Sequence, residues 1–574
     1  MDSRPVRSPS IFRISPQRLE FLARERQIKQ TLLLRYLRWR GLAAFAGYLA
    51  GAVVFTYPLL PNIRRAVTDH FDPLLDAWAL SWVAHQLPRD PVHLFDANRF
   101  FPELGTLAFH DPMIGLAILV APIQWAFHEA VLTLNVAMLF ALALSGYGAF
   151  RLGSWLTGSN AAGAVAGSVF AFNAYRLNHL SHVQLQNAGF IPLLYLCVSR
   201  YLEEGRARFA VGLGVFLWFV SSSCAYYGVF TWMFLAVAIP YETWRTSALK
   251  HPRRLAGLTL ALVLSATAYL PLATPFIRLQ QEFDFHRPVE RLQRASARPG
   301  DYLRSGSHLH QAVGLRPQSR GRTLFPGLLA IGLSALAMVT LNRRTGLYLL
   351  IGTLALWASL GPSWGLYRIL HAVMPGLSGV RSPPRIAIYV FFAAAILASQ
   401  GAAFVLRRLQ GKRGYALATI LAVFPLIESF GGPRPYTSAP EIPAVYQWLA
   451  DVEGPVPIVE MPLPEARRQR NNAVYLYWST SHFKPMANGF AAFVPPVYVE
   501  LAQSMTGFPD DQGVAEIRRL GFRYIIFHRD RYLRFRAEQL ESRMNDQRGL
   551  RRVYETQNET VYEVMGWANR EELE

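Results

Sequence analysis

The chain has 574 residues, of which 52% are hydrophobic and only 17% are charged. Apolar runs long enough to span a bilayer recur along it, which predicts a polytopic α-helical membrane protein rather than a soluble enzyme. The formal net charge of +20 does not indicate a nucleic-acid partner, because the basic residues cluster between the apolar runs, as the positive-inside rule predicts. Only Cys197 and Cys224 occur, both within apolar runs, which excludes a disulfide framework and a cysteine metal site.

A basic arm, residues 1–41, opens the chain and is predicted to stay in the cytoplasm beside anionic lipid. A transmembrane domain is predicted over residues 42–432. Its eleven apolar spans are 42–60, 131–150, 160–175, 188–203, 208–222, 225–243, 254–277, 324–341, 345–361, 384–405 and 415–432.

Five short connections between these spans are basic, and the positive-inside rule places all of them in the cytoplasm. They are residues 151–160, 203–208, 245–254, 342–344 and 407–413. This topology requires that the apolar segment 112–127 does not cross, so we interpret it as a juxtamembrane or re-entrant helix. The first outer loop is then 61–130, the second outer loop is 176–187, and the C-terminal tail lies outside.

The tail, residues 433–574, alternates polar and apolar positions and predicts a small extracytoplasmic α/β domain. Helices are predicted at 443–452 and 511–520. Strands are predicted at 456–460, 523–527, 553–555 and 561–563, the last two paired as a hairpin. The loop His482–Pro496 carries glycine, prolines and aromatic residues, and core packing is favoured over sugar stacking there.

An acidic pair, Asp72 and Asp76, follows the first span in the run FDPLLDAW. Asp72 before Pro73 is also the typical pattern of a helix N-cap, which is its alternative explanation. Asp76 lies one helical turn further on the same face, and its alternative is a solvated position on a loop helix. Two such carboxylates suit a divalent metal, Mg²⁺ or Mn²⁺, or a general base whose pKa the other carboxylate tunes. The sequence leaves these roles open.

Two further Asp-Pro pairs, beginning at Asp90 and Asp111, are predicted to be ordinary helix caps. The second outer loop holds four polar candidates for substrate binding, namely Arg176, His179, His182 and Gln184. Histidines three residues apart can share one helical turn, where they would ligate a metal or donate to a phosphate. The alternative is that they are interfacial polar residues without a function.

Arg381 and Arg385 lie in the run RSPPR at the entrance of the span 384–405. The planar guanidinium fork suits a pair of phosphate oxygens, so both are candidates for binding a lipid phosphate. The alternative is that they reach towards lipid headgroups from the bilayer interface.

These features resemble the GT-C superfamily of membrane glycosyltransferases, which use polyprenyl-phosphate-linked sugars. The resemblance covers residues 42–432 as architecture, with an acidic motif just after the first span, a long first outer loop and an outer C-terminal domain. More narrowly, the chain is similar to bacterial proteins described as glycosyltransferase-like or YfhO-like, in the runs DPLLDAW (72–78), LFPG (324–327), RSPPR (381–385) and NGF (488–490).

By this resemblance, Asp72 or Asp76 would occupy the first-loop acidic position that serves those enzymes as base or metal ligand. Other members add an acidic residue in the second outer loop. Residues 176–187 of this chain contain no Asp or Glu, so the resemblance supplies no second acidic ligand and leaves metal dependence open.

The leading hypothesis is transfer of a sugar from a polyprenyl-phosphate donor to an envelope glycan, lipid or protein at the outer face of a bacterial inner membrane. Asp72 or Asp76 would deprotonate the acceptor hydroxyl, while Arg381, Arg385 and His182 stabilise the departing phosphate. The alternative is a non-catalytic glycolipid transporter or flippase, or an envelope assembly protein. A carrier of that kind would use Glu428, an ionisable residue near the end of the last span.

Overall fold

The computed structural model describes residues 41–283, 288–317, 322–374, 376–409 and 411–567. The basic arm predicted for residues 1–41 lies outside this part of the chain, apart from Gly41. The helices before the tail are α1 (Gly41–Phe55), α2 (Asp72–Gln86), α3 (Ile114–Phe127), α4 (Ala130–Thr157), α5 (Asn160–Ala171), α6 (Ala174–Leu177), α7 (Val183–Gln186), α8 (Phe190–Glu204), α9 (Ala207–Ser223), α10 (Ala225–Arg245), α11 (Pro252–Glu282), α12 (Val289–Ala295), α13 (His308–Ala312), α14 (Leu328–Val339), α15 (Arg343–Ser359), α16 (Leu366–Val373), α17 (Ala387–Leu406) and α18 (Gly411–Ser429).

A helix coincides with each of the eleven predicted spans, namely α1, α4, α5, α8, α9, α10, α11, α14, α15, α17 and α18. Within the described residues, three helical segments are long and apolar enough to cross a membrane: Ala130–Thr157, Pro252–Glu282 and Pro383–Leu406. The helices α1, α3, α9 and α14 are apolar but shorter. Eleven crossings therefore stay a prediction, whereas the helical character of all eleven segments is observed.

The ends of these helices follow local sequence signals. α4 and α8 each end at a glycine, Gly158 and Gly205, in the left-handed conformation that favours glycine (φ +70° at both). The side chain of Ser159 then accepts a hydrogen bond from the Ala162 amide as the N-cap of α5. Asn342 caps α15 in the same way. Turn chemistry thus stops and restarts the helices at three of the basic connections.

All five basic connections meet at one end of the helical bundle. Glu203 pairs with Arg245 at 2.7 Å and with Arg344 at 2.8 Å. Arg407 donates to the Thr157 carbonyl at 3.2 Å, while the Arg344 guanidinium lies 5.0 Å from the ring of Trp155, just before Thr157. The charges therefore segregate as the positive-inside rule requires, and we call this the basic end of the bundle.

The centre of the bundle is α17, which packs against α4, α5, α14 and α15. Most of its side chains are buried, and the hydroxyl of Tyr389 donates to Thr231 of α10 at 2.7 Å. By contrast, α11 is peripheral and exposes apolar side chains such as Leu264 and Leu270 (59% and 56% exposed). An apolar outer face of this kind is suited to lipid contact.

α3 lies within the segment predicted not to cross. Its 14 residues extend only about 21 Å, less than the roughly 30 Å of a bilayer core. It packs against α2, α4 and α9. Gly115 permits the close contact with α9, because a Cβ atom there would lie only 2.4 Å from the Ser222 hydroxyl.

The tail contains a four-stranded mixed sheet with the order β3-β4-β6-β5. The strands are β1 (Ala66–Val67), β2 (Thr437–Ser438), β3 (Ile458–Met461), β4 (Tyr524–His528), β5 (Leu550–Glu555) and β6 (Glu559–Val564), and the tail helices are α19 (Val445–Asp451), α20 (Ala473–Trp478), α21 (Pro496–Ser504), α22 (Asp511–Arg519) and α23 (Arg534–Asp546). β3 and β4 are parallel, and β5 and β6 form the predicted antiparallel hairpin. The four predicted strands and both predicted helices are thus present.

The tail docks on the first outer loop. β1 of that loop pairs antiparallel with β2, the first strand of the tail. Further along, Met486 donates its amide to the Asn98 carbonyl at 3.1 Å and accepts from the Phe101 amide at 2.9 Å. The buried guanidinium of Arg99 donates to the Phe490 carbonyl at 2.7 Å. The loop His482–Pro496 therefore packs against the first outer loop, as favoured from its sequence.

Glu428 has a structural role that its sequence position did not reveal. Its carboxylate is 2% exposed and accepts hydrogen bonds from the amides of Leu328 and Leu329, at the start of α14. The ring of His310, equally buried, lies 2.8 Å from Glu428 Oε1. The residue thus caps a neighbouring helix and joins the last span to the segment before α14.

Candidate functional site

The acidic pair lies on the first turns of α2, at the end of the bundle opposite the basic connections. The alternative explanation of Asp72 as an N-cap is wrong, because Phe71 is the N-cap residue and no side chain caps the helix. The Asp72 side chain is instead 42% exposed. Asp76, one turn further, is 1% exposed, so it is not a solvated loop residue either.

Asp76 is bound to the second outer loop. Its Oδ2 atom accepts a hydrogen bond from the Val183 amide at 3.1 Å. Its Oδ1 atom lies 3.6 Å from Nε2 of His110. Burial and the neighbouring Asp72 hold the pKa of Asp76 well above its usual range.

His182 approaches the other carboxylate, with its Nε2 atom 3.8 Å from Oδ2 of Asp72. Burial, together with the positive charge of Arg385, lowers the pKa of His182 to about 3. The imidazole is thus neutral at physiological pH and able to act as a hydrogen-bond donor or acceptor, depending on its tautomer.

The two predicted arginines face the same site. Arg381 is exposed, while Arg385 is buried and its guanidinium lies 4.3 Å from the ring of Tyr226. Burial and the nearby Asp69 raise the pKa of Asp72, and Arg381 and Arg385 oppose this increase. Positive charge from the 381–385 segment therefore acts on the carboxylate of α2.

Two residues of the site were missed from the sequence. Asp111 was predicted to cap its own helix, which is wrong because Met113 is the N-cap of α3. Asp111 instead accepts a hydrogen bond at 3.1 Å from the Ala225 amide, at the start of α10. Burial raises its pKa to about 6. The adjacent His110 contacts Asp76, and burial lowers its pKa to about 3. Asp90, in contrast, accepts from the His93 amide in a local turn; the prediction that it caps a helix is wrong, because no helix follows it directly in the described chain.

Three predicted residues are not brought to the acidic pair. The guanidinium of Arg176 is buried and donates to the carbonyls of Phe170 and Gln186 and to the Gln186 side chain. His179 contacts its own loop, with Nδ1 2.7 Å from the Tyr175 carbonyl. Gln184 is 5% exposed, and its Oε1 atom has no partner among the described residues. The first two residues hold the second outer loop in shape.

The donors of this site do not fit a metal ion. Across the described part of the chain, no three His, Cys, Asp or Glu side chains converge on one point. Asp72 and Asp76 instead each face one histidine, and positive charge comes from arginines. We therefore assign no metal to this site, and the mechanism below involves none.

Two small cavities flank the site. One is lined by Pro73 of α2, Thr68 and Val183, among others. The other is lined by Asp111, residues of α9 and residues of α11. The arrangement combines an accessible carboxylate, neutral imidazoles and fixed positive charge, which suits proton transfer beside an anion.

No family model matches the chain, and a search of curated proteins gives no match. Among solved structures, the chain is similar to archaeal oligosaccharyltransferase AglB from Archaeoglobus fulgidus in complex with an inhibitory peptide and a dolichol-phosphate. The identity is 14% and the TM-score 0.42, over 93% of this chain and 74% of that chain.

It is also similar to ArnT from Cupriavidus metallidurans, in the apo state (13% identity, TM-score 0.34) and bound to undecaprenyl phosphate (12% identity, TM-score 0.33). Each of these matches covers 92% of this chain and 98% of that chain. Because every TM-score is below 0.5, this likeness alone assigns neither fold nor function.

Proposed function

We propose that this chain is a membrane glycosyltransferase that moves a sugar from a polyprenyl-phosphate donor to a hydroxyl of an envelope acceptor. The observation that carries the proposal is the convergence of α2, the second outer loop and the 381–385 segment on Asp72. These segments are far apart in sequence, yet they bring an imidazole to 3.8 Å from the Asp72 carboxylate and two guanidinium groups within electrostatic reach of it.

In the proposed reaction, Asp72 takes the proton from the acceptor hydroxyl, and the hydroxyl oxygen bonds to the anomeric carbon of the sugar. The bond from that carbon to the phosphate oxygen breaks, and the polyprenyl phosphate leaves with the bonding electrons. Arg381 and Arg385 stabilise the charge that develops on this phosphate. His182 donates a hydrogen bond to it or orients Asp72.

Asp72 is a better base than Asp76 on two grounds. It is 42% exposed, so an acceptor can reach it, whereas Asp76 is 1% exposed. Burial also holds the pKa of Asp76 well above its usual range, which makes Asp76 harder to ionise. Asp76 positions the second outer loop through its hydrogen bond from Val183.

We place the reaction on the outer face of a bacterial inner membrane, with the basic end of the bundle in the cytoplasm. A lipid-linked donor explains why a polar site would sit at the edge of an apolar bundle. The tail, docked on the first outer loop, would orient the acceptor. In support, Arg470 of the tail lies 4.7 Å from the ring of Phe71, the residue before Asp72.

The test is replacement of Asp72 by Asn in a producing strain, followed by profiling of surface glycans and glycolipids. Loss of the base is expected to lower the transfer rate by roughly 10²–10⁴-fold, so one glycan species should disappear or accumulate unmodified. Asp90→Asn is the matched control, because Asp90 also precedes a proline and serves only a local turn. An unchanged glycan profile with well-expressed Asp72→Asn would remove the assignment.

A further inference from the structure

A group of exposed arginines lies on the tail, next to the start of α20. They belong to a short 3₁₀-helix of seven residues, Ala466–Asn472, which leads directly into α20. The only acidic residue between positions 461 and 499 is Glu465, so the local charge is strongly positive. We call these exposed residues the arginine cluster, namely Arg467, Arg468 and Arg470.

The arginine cluster is not neutralised by carboxylates of the protein. Six other arginines of the tail each pair with a glutamate, namely Arg519, Arg523, Arg529, Arg534, Arg551 and Arg552. In contrast, no carboxylate of the described residues forms an ion pair with the arginine cluster. Its planar guanidinium groups therefore keep their donors for an anion from outside the chain.

Hydrogen bonds hold the opposite face of this 3₁₀-helix in place. The Gln469 amide group donates to the Ala491 carbonyl at 3.1 Å and accepts from the Ala491 amide at 3.2 Å. One turn later, the buried side chain of Asn472 donates to the Gly489 carbonyl at 2.8 Å. Side chains three residues apart share one face of a 3₁₀-helix, so these two residues anchor the same face. The arginine cluster is thus presented from a fixed support.

The cluster lies beside the exposed carboxylate of the candidate site. The guanidinium of Arg470 lies 4.7 Å from the ring of Phe71, the N-cap residue of α2. Asp72 follows directly, and its side chain is 42% exposed. From the bundle, the exposed Arg381 acts on Asp72, with Asp69 as the opposing negative charge. Positive charge therefore reaches the surroundings of Asp72 from the tail as well as from the bundle.

We propose that the arginine cluster binds an anionic glycan, with phosphate or carboxylate groups along its chain, and that this glycan is the acceptor of the transfer. The inference rests on the proposed function, which requires an acceptor hydroxyl but names no class of acceptor. An anionic glycan supplies both the hydroxyl and the negative groups that guanidinium forks recognise. Arg467 and Arg470 lie one turn apart on one face of the 3₁₀-helix, which favours a ligand with repeated charges over a single anion.

The experiment measures the binding of soluble polymers to the purified full chain in phosphatidylcholine nanodiscs by biolayer interferometry. Poly(glycerol phosphate) carries phosphate groups, polygalacturonate carries carboxylates, and dextran is a neutral polyol. At least one of the two polyanions should bind, and dextran should not. Added salt should weaken this binding, because it screens exposed charges. The polyanion that binds more tightly identifies the anionic group of the acceptor.

A cluster variant and a matched control locate the binding. The cluster variant, Arg467→Gln with Arg468→Gln and Arg470→Gln, should bind the preferred polyanion roughly tenfold more weakly, because three exposed charges are lost. The control removes three exposed arginines that also lack a carboxylate partner among the described residues, and it should leave the affinity unchanged. Its substitutions lie on or just after α23, which packs in a different core from α20, and are Arg536→Gln, Arg543→Gln and Arg548→Gln.

A charge-conserving variant separates loss of charge from loss of shape. Lysine at all three positions, Arg467→Lys with Arg468→Lys and Arg470→Lys, keeps the positive charge and should retain most of the polyanion binding. Loss of binding in this variant as well would overturn the inference, since charge would then not explain recognition.

The inference would also be overturned if neither polyanion bound, or if dextran bound as tightly as the polyanions. An equal loss of affinity in the cluster variant and the arginine control would show a net-charge effect and overturn it too. Phosphatidylglycerol vesicles test a membrane as the partner. If the cluster variant loses vesicle binding but keeps polymer binding, the surface contacts lipid and the inference fails.

Polymer binding is read independently of sugar transfer. If Asp72→Asn leaves glycans unchanged while the polymer pattern holds, the proposed function fails and the glycan-binding surface stands. If Asp72→Asn abolishes transfer while the cluster variant binds both polyanions normally, the proposed function stands and this inference fails.

Discussion

At the scale of single residues, opposing charges determine whether Asp72 can act as a base. Burial and Asp69 raise its pKa, whereas Arg381 and Arg385 lower it. A general base must be ionised, so the transfer rate falls as the pH drops through the pKa of Asp72. Any change that raises this pKa therefore moves the acid limb of the rate profile to higher pH.

Replacing Arg381 by Gln removes one of the two positive charges that act on Asp72. The pKa of Asp72 should rise, and the acid limb of the transfer rate should shift to higher pH. The shift should be small because Arg381 is exposed and its charge is screened. The measurement is the pH dependence of transfer by the purified chain. Arg368→Gln removes an exposed charge from α16 and should leave the profile unchanged; a shift in both variants would show a net-charge effect instead.

The same scale shows which parts of the site the sequence could predict. Asp72, His182 and Arg385 lie in polar runs next to apolar spans, and this local contrast was enough to select them. Asp111 was not recognised, because its Asp-Pro pattern is the same whether it caps its own helix or, as here, the helix that starts 114 residues later. Arg176 was selected as a substrate-binding candidate, because sequence does not reveal that its own loop uses its donors.

At the scale of elements, helices and strands followed from periodicity because that signal is local. All eleven apolar runs are helical, and four alternating runs in the tail are strands. Two features required contacts between distant segments and were not predicted: the pairing of β1 with β2 and the cap that Glu428 provides for α14. In the alternative of a non-catalytic carrier, Glu428 was the ionisable residue expected to take part in transport.

The cap on α14 gives a stability prediction. Replacing Glu428 by Gln should lower the free energy of unfolding by about 1–2 kcal/mol, because the first amides of α14 and the buried His310 lose a charged acceptor. The measurement is thermal unfolding in detergent. Glu441→Gln alters an exposed residue of the tail and should change stability by less than about 0.5 kcal/mol. Unchanged stability combined with lost lipid movement between leaflets would favour the carrier alternative.

At the scale of the whole molecule, the candidate site depends on the tail being held against the bundle. Backbone pairing of β1 with β2, hydrogen bonds around Met486 and the buried Arg99 all join the tail to the first outer loop. The basic connections gather at the opposite end of the bundle. The site and the tail therefore face the same compartment, and the proposed reaction requires that compartment to be the outer one.

A disulfide between β1 and β2 tests both the docking and the orientation. Ala66 pairs with Ser438 in the antiparallel ladder, where Cα atoms lie about 4.5–5.5 Å apart, within the range that a disulfide accepts. The variant Ala66→Cys with Ser438→Cys should therefore cross-link spontaneously in cells if this end faces an oxidising compartment. The native Cys197 and Cys224 are buried and should not interfere.

Cross-linking is read by mass spectrometry of digested, alkylated membranes. The control pair is Ala66→Cys with Ser247→Cys, since Ser247 lies at the basic end. If the Ala66–Ser438 variant cross-links only after an oxidant is added, the tail lies in the cytoplasm. If it fails to cross-link even then, the tail is not docked.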